Sequence, residues 1–272
     1  MKIVVATATQ SGLDTLDMLR ETIDIHMVLG LDGGQNKKKI SGHADVSAYC
    51  QNAQLSYLGV KSYGLKCDQD QARLLSEEID VLLVLGWQRL IPAWLIEHTK
   101  FAVIGGHGSA VGITEGRGRS PQNRASILGR SSFSISLFKI ESGVDSGPVL
   151  MEKTFTYSQL DDIETSYFKT SWIMSDMMIE LLNSSDPMRF DGLAQVGVPA
   201  YLPKRAAEDG RVDWGMSSAQ IYNFVRGLTH PYPGAFTFLG EIRVNIWSLI
   251  PFDVPVDLLA YRPEHRTDVE MV

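Results

Sequence analysis

The sequence predicts an α/β protein: a mostly parallel sheet with helices on both faces, Rossmann-like in its winding, followed by a small C-terminal α+β module. Three observations carry that prediction. Short aliphatic runs near residues 2–7, 25–30 and 81–85 lack the polar alternation of a sheet with one wet face, so both faces are covered. Apolar residues at helical spacing and clusters of breakers separate these runs, which is the order that βαβ units require. Beyond residue 200 the pattern becomes one short helix and two alternating runs about Gly240, the mark of a β-hairpin.

Taken in order, Lys2 to Thr7 is a strand, Gln10-Ser11-Gly12 breaks it, and Leu13, Leu16 and Leu19 mark the first helix. Ile25 to Gly30, apolar apart from His26, and Val81 to Leu85 are the next strands, with the polar stretch Asp68 to Glu78 between them. Phe101 to Ile104 is a short strand that ends in a glycine-rich loop. Ser120 is placed as an N-cap before Pro121 at the first helical position, and Gly129 fits a C′ glycine. Phe133, Ile135 and Leu137 alternate with serines in a half-buried strand. Asp162 to Asn183 is the clearest helix, in which Met174, Met177, Met178, Leu181 and Leu182 form an apolar stripe of core methionines and leucines. The periodicity stops near Asn183-Ser-Ser-Asp-Pro187, so the expected organisation is a main domain at 1–185, a linker at 186–200 and a small module at 201–272. In that module Ser217 and Gln220 make a capping box ahead of Ile221, Phe224 and Val225.

Composition excludes several classes. With 272 residues, 44% hydrophobic and 21% charged, the chain suits a folded core and not a disordered one. A net charge of −7 gives no general attraction for polyphosphate, so no nucleic-acid partner is expected. Two cysteines, Cys50 and Cys67, are too few for a disulfide framework and lack zinc spacing, which fits free thiols in a reducing cytoplasm. No signal-like h-region and no run of 18 apolar residues is present, so neither export nor a membrane span is expected. The run Lys37 to Lys39 is read as an exposed loop.

The most informative stretch is VIGGHGSAVGITEGRGRSP, Val103 to Pro121, with six glycines, one histidine and two arginines in nineteen residues. Loops at the carboxyl ends of neighbouring parallel strands converge, so His107 can meet Asp145 although 38 positions separate them. No HExxH or clustered His/Cys set is present, so no metal is expected.

Three ordered motifs, His107-x-Ser109, Arg117-Gly118-x-x-Pro121-x-x-x-Ala125 and Gly143-x-Asp145-x-Gly147-Pro148, resemble those of the 10-formyltetrahydrofolate-dependent formyltransferases. The likeness continues at Gly86-Trp-Gln-Arg-Leu-Ile-Pro92 and at Asp213-Trp214, Arg226 and Pro231 to Phe236, which resemble the sugar N-formyltransferases and methionyl-tRNA formyltransferases. It implies transfer of a formyl group to an amine, with 10-formyltetrahydrofolate as donor. An amine attacking a formyl carbonyl passes through a tetrahedral oxyanion and must shed a proton, while the departing nitrogen must gain one. His107 suits proton movement or oxyanion stabilisation, and the resemblance makes Asp145 the carboxylate that orients it. The same resemblance sets folate against Gly86, Leu90, Ile91 and the turn from Gly143 to Asp145.

Ser11 and Gly12 open a helix that either holds a phosphate or is plainly capped. Arg117 either contacts substrate or anchors its loop. Ser109, Lys204, Arg205, Arg226 and Tyr232 are placed on the acceptor, the arginines matching phosphate geometry. The resemblance and the acidic chain favour a nucleotide-linked amino sugar as acceptor, with a homodimer as the implied assembly. The rivals are methionyl-tRNA, an amino-acid or peptide amine, and a non-enzymatic folate or nucleotide binder. The family pattern has asparagine two residues before the histidine, donating to the oxyanion, and here that residue is Gly105. His107 to Arg117 is ten positions where eight are expected, so the enlarged loop is expected to bring in Ser109, Asn123 or a backbone N–H as the donor.

Overall fold

The structure, a computed structural model, describes residues 1–32 and 40–251. The lysine run 37–39 and the end of the expected 201–272 module lie outside the described residues. The main sheet has seven strands. Five are parallel, in the order β3 (Tyr57–Val60), β2 (Met27–Leu31), β1 (Ile3–Thr7), β4 (Val81–Leu85) and β5 (Ala102–Ser109). The antiparallel β7 (Ser132–Lys139) and β8 (Val149–Thr156) complete it.

The unalternating strands have the cause expected of them. Ile3 and Val5 of β1 face a core shared with α1 (Gln10–Leu19) and α6 (Ile163–Asn183), built from Leu13, Leu16, Met177 and Met178. Val4 and Ala6 face the opposite core, closed by Leu74 of α3 (Asp68–Leu75) and Leu95 of α4 (Ala93–His98). The strand order reverses between β1 and β4, and a crevice opens outside their carboxyl ends, where doubly wound sheets bind ligands.

Several local expectations are corrected. Gln10 to Gly12 is the first turn of α1 and not a break, because Thr9 Oγ1 accepts the Gly12 N–H at 3.3 Å. Gly12 lets that helix lie against β4: a Cβ there would stand 2.3 Å from the Leu85 carbonyl oxygen. The expected loop at Gly105 to Ser109 is strand, pairing antiparallel with β7 from Ile104↔Lys139 to Ser109↔Ser134. Its glycines make room for neighbours: a Cβ at Gly106 would meet Met174 Sδ at 2.6 Å, and one at Gly108 would meet Phe133 at 2.3 Å. Ser120 does not cap α5 (Pro121–Ile127) with its side chain; its φ is 58°. Gly129, at φ 59°, does follow that helix as expected.

The small module packs Val212, Ala235 and Leu228 against Phe224 and Val225 of α7 (Ser218–Arg226). The capping box forms, with Ser217 Oγ accepting the Gln220 N–H at 3.3 Å and Gln220 Oε1 accepting the Ser217 N–H at 2.9 Å. The hairpin pairs β10 (Ala235–Leu239) with β11 (Ile242–Ile246). The segment 186–200 is partly fastened: Phe190 is buried in the first core and Leu193 exchanges two 2.8 Å hydrogen bonds with Val149. It ends in β9 (Tyr201–Leu202), which pairs parallel with β6 (Arg117–Gly118). No helix among the described residues is long and apolar enough to cross a membrane.

Candidate active site

A cavity of about 1240 Å³ opens above the carboxyl ends of β1, β4 and β5. That exceeds the roughly 300–1,000 Å³ of a typical single-ligand pocket, and so suits two ligands side by side. Its wall takes Ser11 from the start of α1, Gly86 to Leu90 from the turn after β4, His107 from β5 and Asp145 from the turn before β8.

His107 and Asp145 are brought together as the topology predicts. His107 Nδ1 lies 3.6 Å from Asp145 Oδ2, with side-chain exposures of 10% and 23%. The ring is oriented differently from the expectation. His107 Nε2 makes a 2.7 Å hydrogen bond to the Gly116 carbonyl, which can only accept, so the proton belongs on Nε2. At 3.6 Å the carboxylate is beyond hydrogen-bond range of Nδ1. Orientation therefore comes from the loop carbonyl, with the Asp145 carboxylate on the Nδ1 side of the ring. Asp145 has φ 48°, a left-handed conformation costing a non-glycine residue about 1–2 kcal/mol, and its Oδ2 accepts the Gly118 N–H at 3.3 Å.

Gly105 is not an open vacancy. A Cβ there would lie 2.9 Å from Ile140 Cδ1, 3.1 Å from Ile140 Cγ1 and 3.3 Å from Phe138 Cζ. Of the two side chains expected to supply the missing donor, Asn123 alone lines the cavity. Ser109 is off the cavity wall, with its Oγ accepting the Val111 N–H at 3.1 Å. Asn123 uses one of its two Nδ2 hydrogens on the Gly227 carbonyl at 2.8 Å.

On the side expected to hold folate, Gly86 and Leu90 line the cavity, while Ile91 is buried in the second core and Gly143 lies off the wall. Leu90 is 62% exposed on this wall. Beside it the buried Trp87 Nε1 has no partner among the described residues. An apolar wall with an orphaned donor fits a fused heteroaromatic ring.

The other expected contacts divide. Lys204, Arg205 and Tyr232 line the cavity. The Tyr232 hydroxyl is hydrogen-bonded to that of Tyr167, and burial pushes both phenols up, so both stay protonated. Gly12 is off the wall, for the packing reason given. Arg117 is also off it: Nη2 donates to Gln195 Oε1 at 2.7 Å and Nη1 to the Tyr201 hydroxyl at 3.4 Å, so the residue anchors its loop. Arg226 points elsewhere too, with Nη1 donating to the carbonyls of Ser158, Gln159 and Asp161.

Sequence reasoning missed Arg119, Tyr167 and Phe168 on the wall. The Arg119 N–H donates to the Leu202 carbonyl at 3.0 Å, which ties its loop to the segment leading to Lys204 and Arg205 on the same wall. Phe168 could have been found: it is 63% exposed and falls six positions before Met174, off the apolar stripe of α6.

Comparison with known proteins gives a family match. Residues 2–182 match the family described as formyl transferase, and residues 204–254 match its C-terminal domain. A methionyl-tRNA formyltransferase of Thermodesulfovibrio yellowstonii is 29% identical over 67% of this chain and 58% of its own length; one from Staphylococcus epidermidis is 28% identical over 68% and 59%. The match thus spans under two thirds of these curated relatives. Among solved structures, a sugar N-formyltransferase from a Shewanella species superposes with TM-score 0.65 at 14% identity, covering 94% of this chain and 99% of the other. The methionyl-tRNA formyltransferase of Clostridium thermocellum gives 0.61 at 20% identity, covering 89% and 90%. Both likenesses concern the fold.

Proposed function

The chain belongs to the formyl transferase family, and we propose that it moves a formyl group from 10-formyltetrahydrofolate to the primary amine of a nucleotide-linked amino-dideoxy sugar. The observation that carries this is one cavity holding the His107–Asp145 pair together with Arg119, Lys204 and Arg205. Arg205 Nη2 donates to the Asp209 carbonyl at 2.7 Å, so Arg119 and Lys204 are the cations of this groove that suit a diphosphate. A cavity with Arg119 and Lys204 on its wall, in a chain of net charge −7, fits a small anionic acceptor better than a transfer RNA.

The donor supplies the formyl carbonyl carbon, and Gly86, Trp87 and Leu90 would hold its ring. This chain's residues handle the proton. Neutral His107, with its proton on Nε2, leaves the Nδ1 lone pair free to take a proton from the acceptor amine. The imidazolium then faces Asp145 Oδ2 at 3.6 Å, a gross attraction on the order of 4 kcal/mol at an effective dielectric near 20. Nδ1 returns that proton to the departing nitrogen. Protonated Tyr232 and Tyr167 offer hydroxyls to the sugar nucleotide, and Ser11 lies within the same wall.

The test is turnover of 10-formyltetrahydrofolate, followed by absorbance, against a panel of aminosugar nucleotides, repeated with His107→Ala. Formylation of methionyl-tRNA with every nucleotide sugar ignored would overturn the acceptor. A second reading, a folate or nucleotide binder without catalysis, draws on Ile140 standing against Gly105. Its signature is binding without turnover, unchanged by His107→Ala.

A further inference from the structure

We infer that Gln195, in the segment between the two modules, is a positioning residue for the His107–Asp145 pair. Its Nε2 donates to the carbonyls of Asp145 and Gly147, both at 2.8 Å. Its Oε1 accepts from Arg117 Nη2 at 2.7 Å and from Thr114 Oγ1 at 3.2 Å. Thr114 and Arg117 flank Gly116, whose carbonyl orients the His107 ring. One carboxamide thus bridges the loop that aims the imidazole and the turn that carries the carboxylate.

The chemistry leaves little choice of residue. Two carbonyls demand donors on one side and a guanidinium demands an acceptor on the other, so the amide orientation is fixed and all its bonding capacity is in use. Glutamate would keep the Arg117 side, lose both donors and set negative charge against two carbonyls. Methionine would lose both sides. The turn being held has a strained residue, Asp145 at φ 48°, which persists only where its surroundings over-determine it. Gln195 also turns inward from a segment whose Val196 and Val198 are 88% and 82% exposed.

The catalytic part of this inference rests on the proposed formyl transfer; the bridging part does not, and the experiment separates them. Full-length Gln195→Glu and Gln195→Met are compared with the parent by thermal unfolding, amide exchange at residues 143–147, 15N shifts of the His107 ring, and steady-state kinetics. The expected result is two folded variants with faster exchange in the turn, a His107 ring no longer held in the Nε2–H form, and kcat lower by about tenfold to a hundredfold. KM for both substrates is expected to change less than about threefold, as when misplacement acts on the transition state alone. Unchanged ring shifts and exchange in a folded Gln195→Glu protein would overturn the inference. So would loss of folding in both variants, which makes Gln195 a structural residue only. If the parent formylates no nucleotide sugar, the proposed function falls while the ring shifts and exchange still decide the bridge.

Discussion

Restoring an asparagine at position 105 tests the oxyanion argument directly. The added Cβ would stand 2.9 Å from Ile140 Cδ1, the tip of a side chain that can yield by a few tenths of an ångström. Overpacking of this kind costs about 1–3 kcal/mol, so Gly105→Asn alone is expected to fold with reduced stability. Ile140→Val removes the nearest atom, itself at about 0.5–1.5 kcal/mol, and makes room. A side-chain donor to the developing oxyanion is worth about 2.7–4 kcal/mol, a factor of roughly a hundred to a thousand in kcat. Ser109 is off the wall and one Asn123 N–H is committed to Gly227, so a donor at position 105 adds to what the site has, and the Gly105→Asn/Ile140→Val protein is expected to outpace Ile140→Val by at least about tenfold. The assay is donor turnover at saturating aminosugar nucleotide, with urea unfolding of each variant alongside. A folded double variant with the rate of Ile140→Val alone would refute the reasoning and show that the oxyanion is already served.

Other outcomes follow from the same geometry. His107→Ala is expected to lower kcat by about 10²–10⁴ with folding intact, and activity within about twofold of the parent would remove it from the proton path. Gly86 has φ 69° and no room for a Cβ, which would lie 1.9 Å from Thr9 Oγ1. Backbone strain plus disturbance of the Thr9 cap predicts a loss of about 2–3 kcal/mol for Gly86→Ala in urea titration, and strict additivity with Thr9→Ala would refute the shared contact. Burial pushes the Cys50 thiol up to about 11, so a thiol reagent should leave Cys50 unmodified in the native protein and modify it after unfolding; rapid native labelling of Cys50, mapped by peptide analysis, would contradict this. Burial pushes the Asp161 carboxyl up, but the Lys169 ammonium and the Ser158 N–H and hydroxyl outweigh it and hold it below the usual range. A carboxyl lowered by folding stabilises fully above its unfolded pKa of about 3.9, and that contribution fades as pH falls through the folded value. Asp161→Asn should therefore lessen the acid dependence of stability below about pH 4, and an unchanged dependence would exclude this group as a source.

The parallel core was legible because strands buried on both faces leave continuous aliphatic runs, and α6 because its stripe is long. β8 was not, since only Phe155 of that edge strand is buried and its polar residues resemble loop. Position 105 to 109 was misread for a related reason: glycines that admit Phe133 and Met174 above a strand are indistinguishable, in sequence, from glycines that bend a loop. At the site, His107 and Asp145 were readable from motif and topology together. Arg117 and Arg226 were not, because whether a guanidinium meets ligand or the protein's own acceptors depends on segments 78 to 84 or 65 to 68 positions away. Gln195 gave no signal at all, as its four partners come from two loops that only the fold brings together.

The parallel pairing of Arg117–Gly118 with Tyr201–Leu202 bears on how such proteins can be recombined. A splice near residue 200 looks natural in sequence, yet it would sever the strand partner of the very loop whose Gly116 carbonyl holds the His107 ring. Arg226 would add a second fault, since its guanidinium covers three carbonyls between Ser158 and Asp161 on the other side of the junction. Grafting a foreign C-terminal module to change the acceptor therefore requires transplanting both sides of each seam, and a hybrid that exchanges only the downstream piece should inherit a slackened catalytic loop along with its new surface.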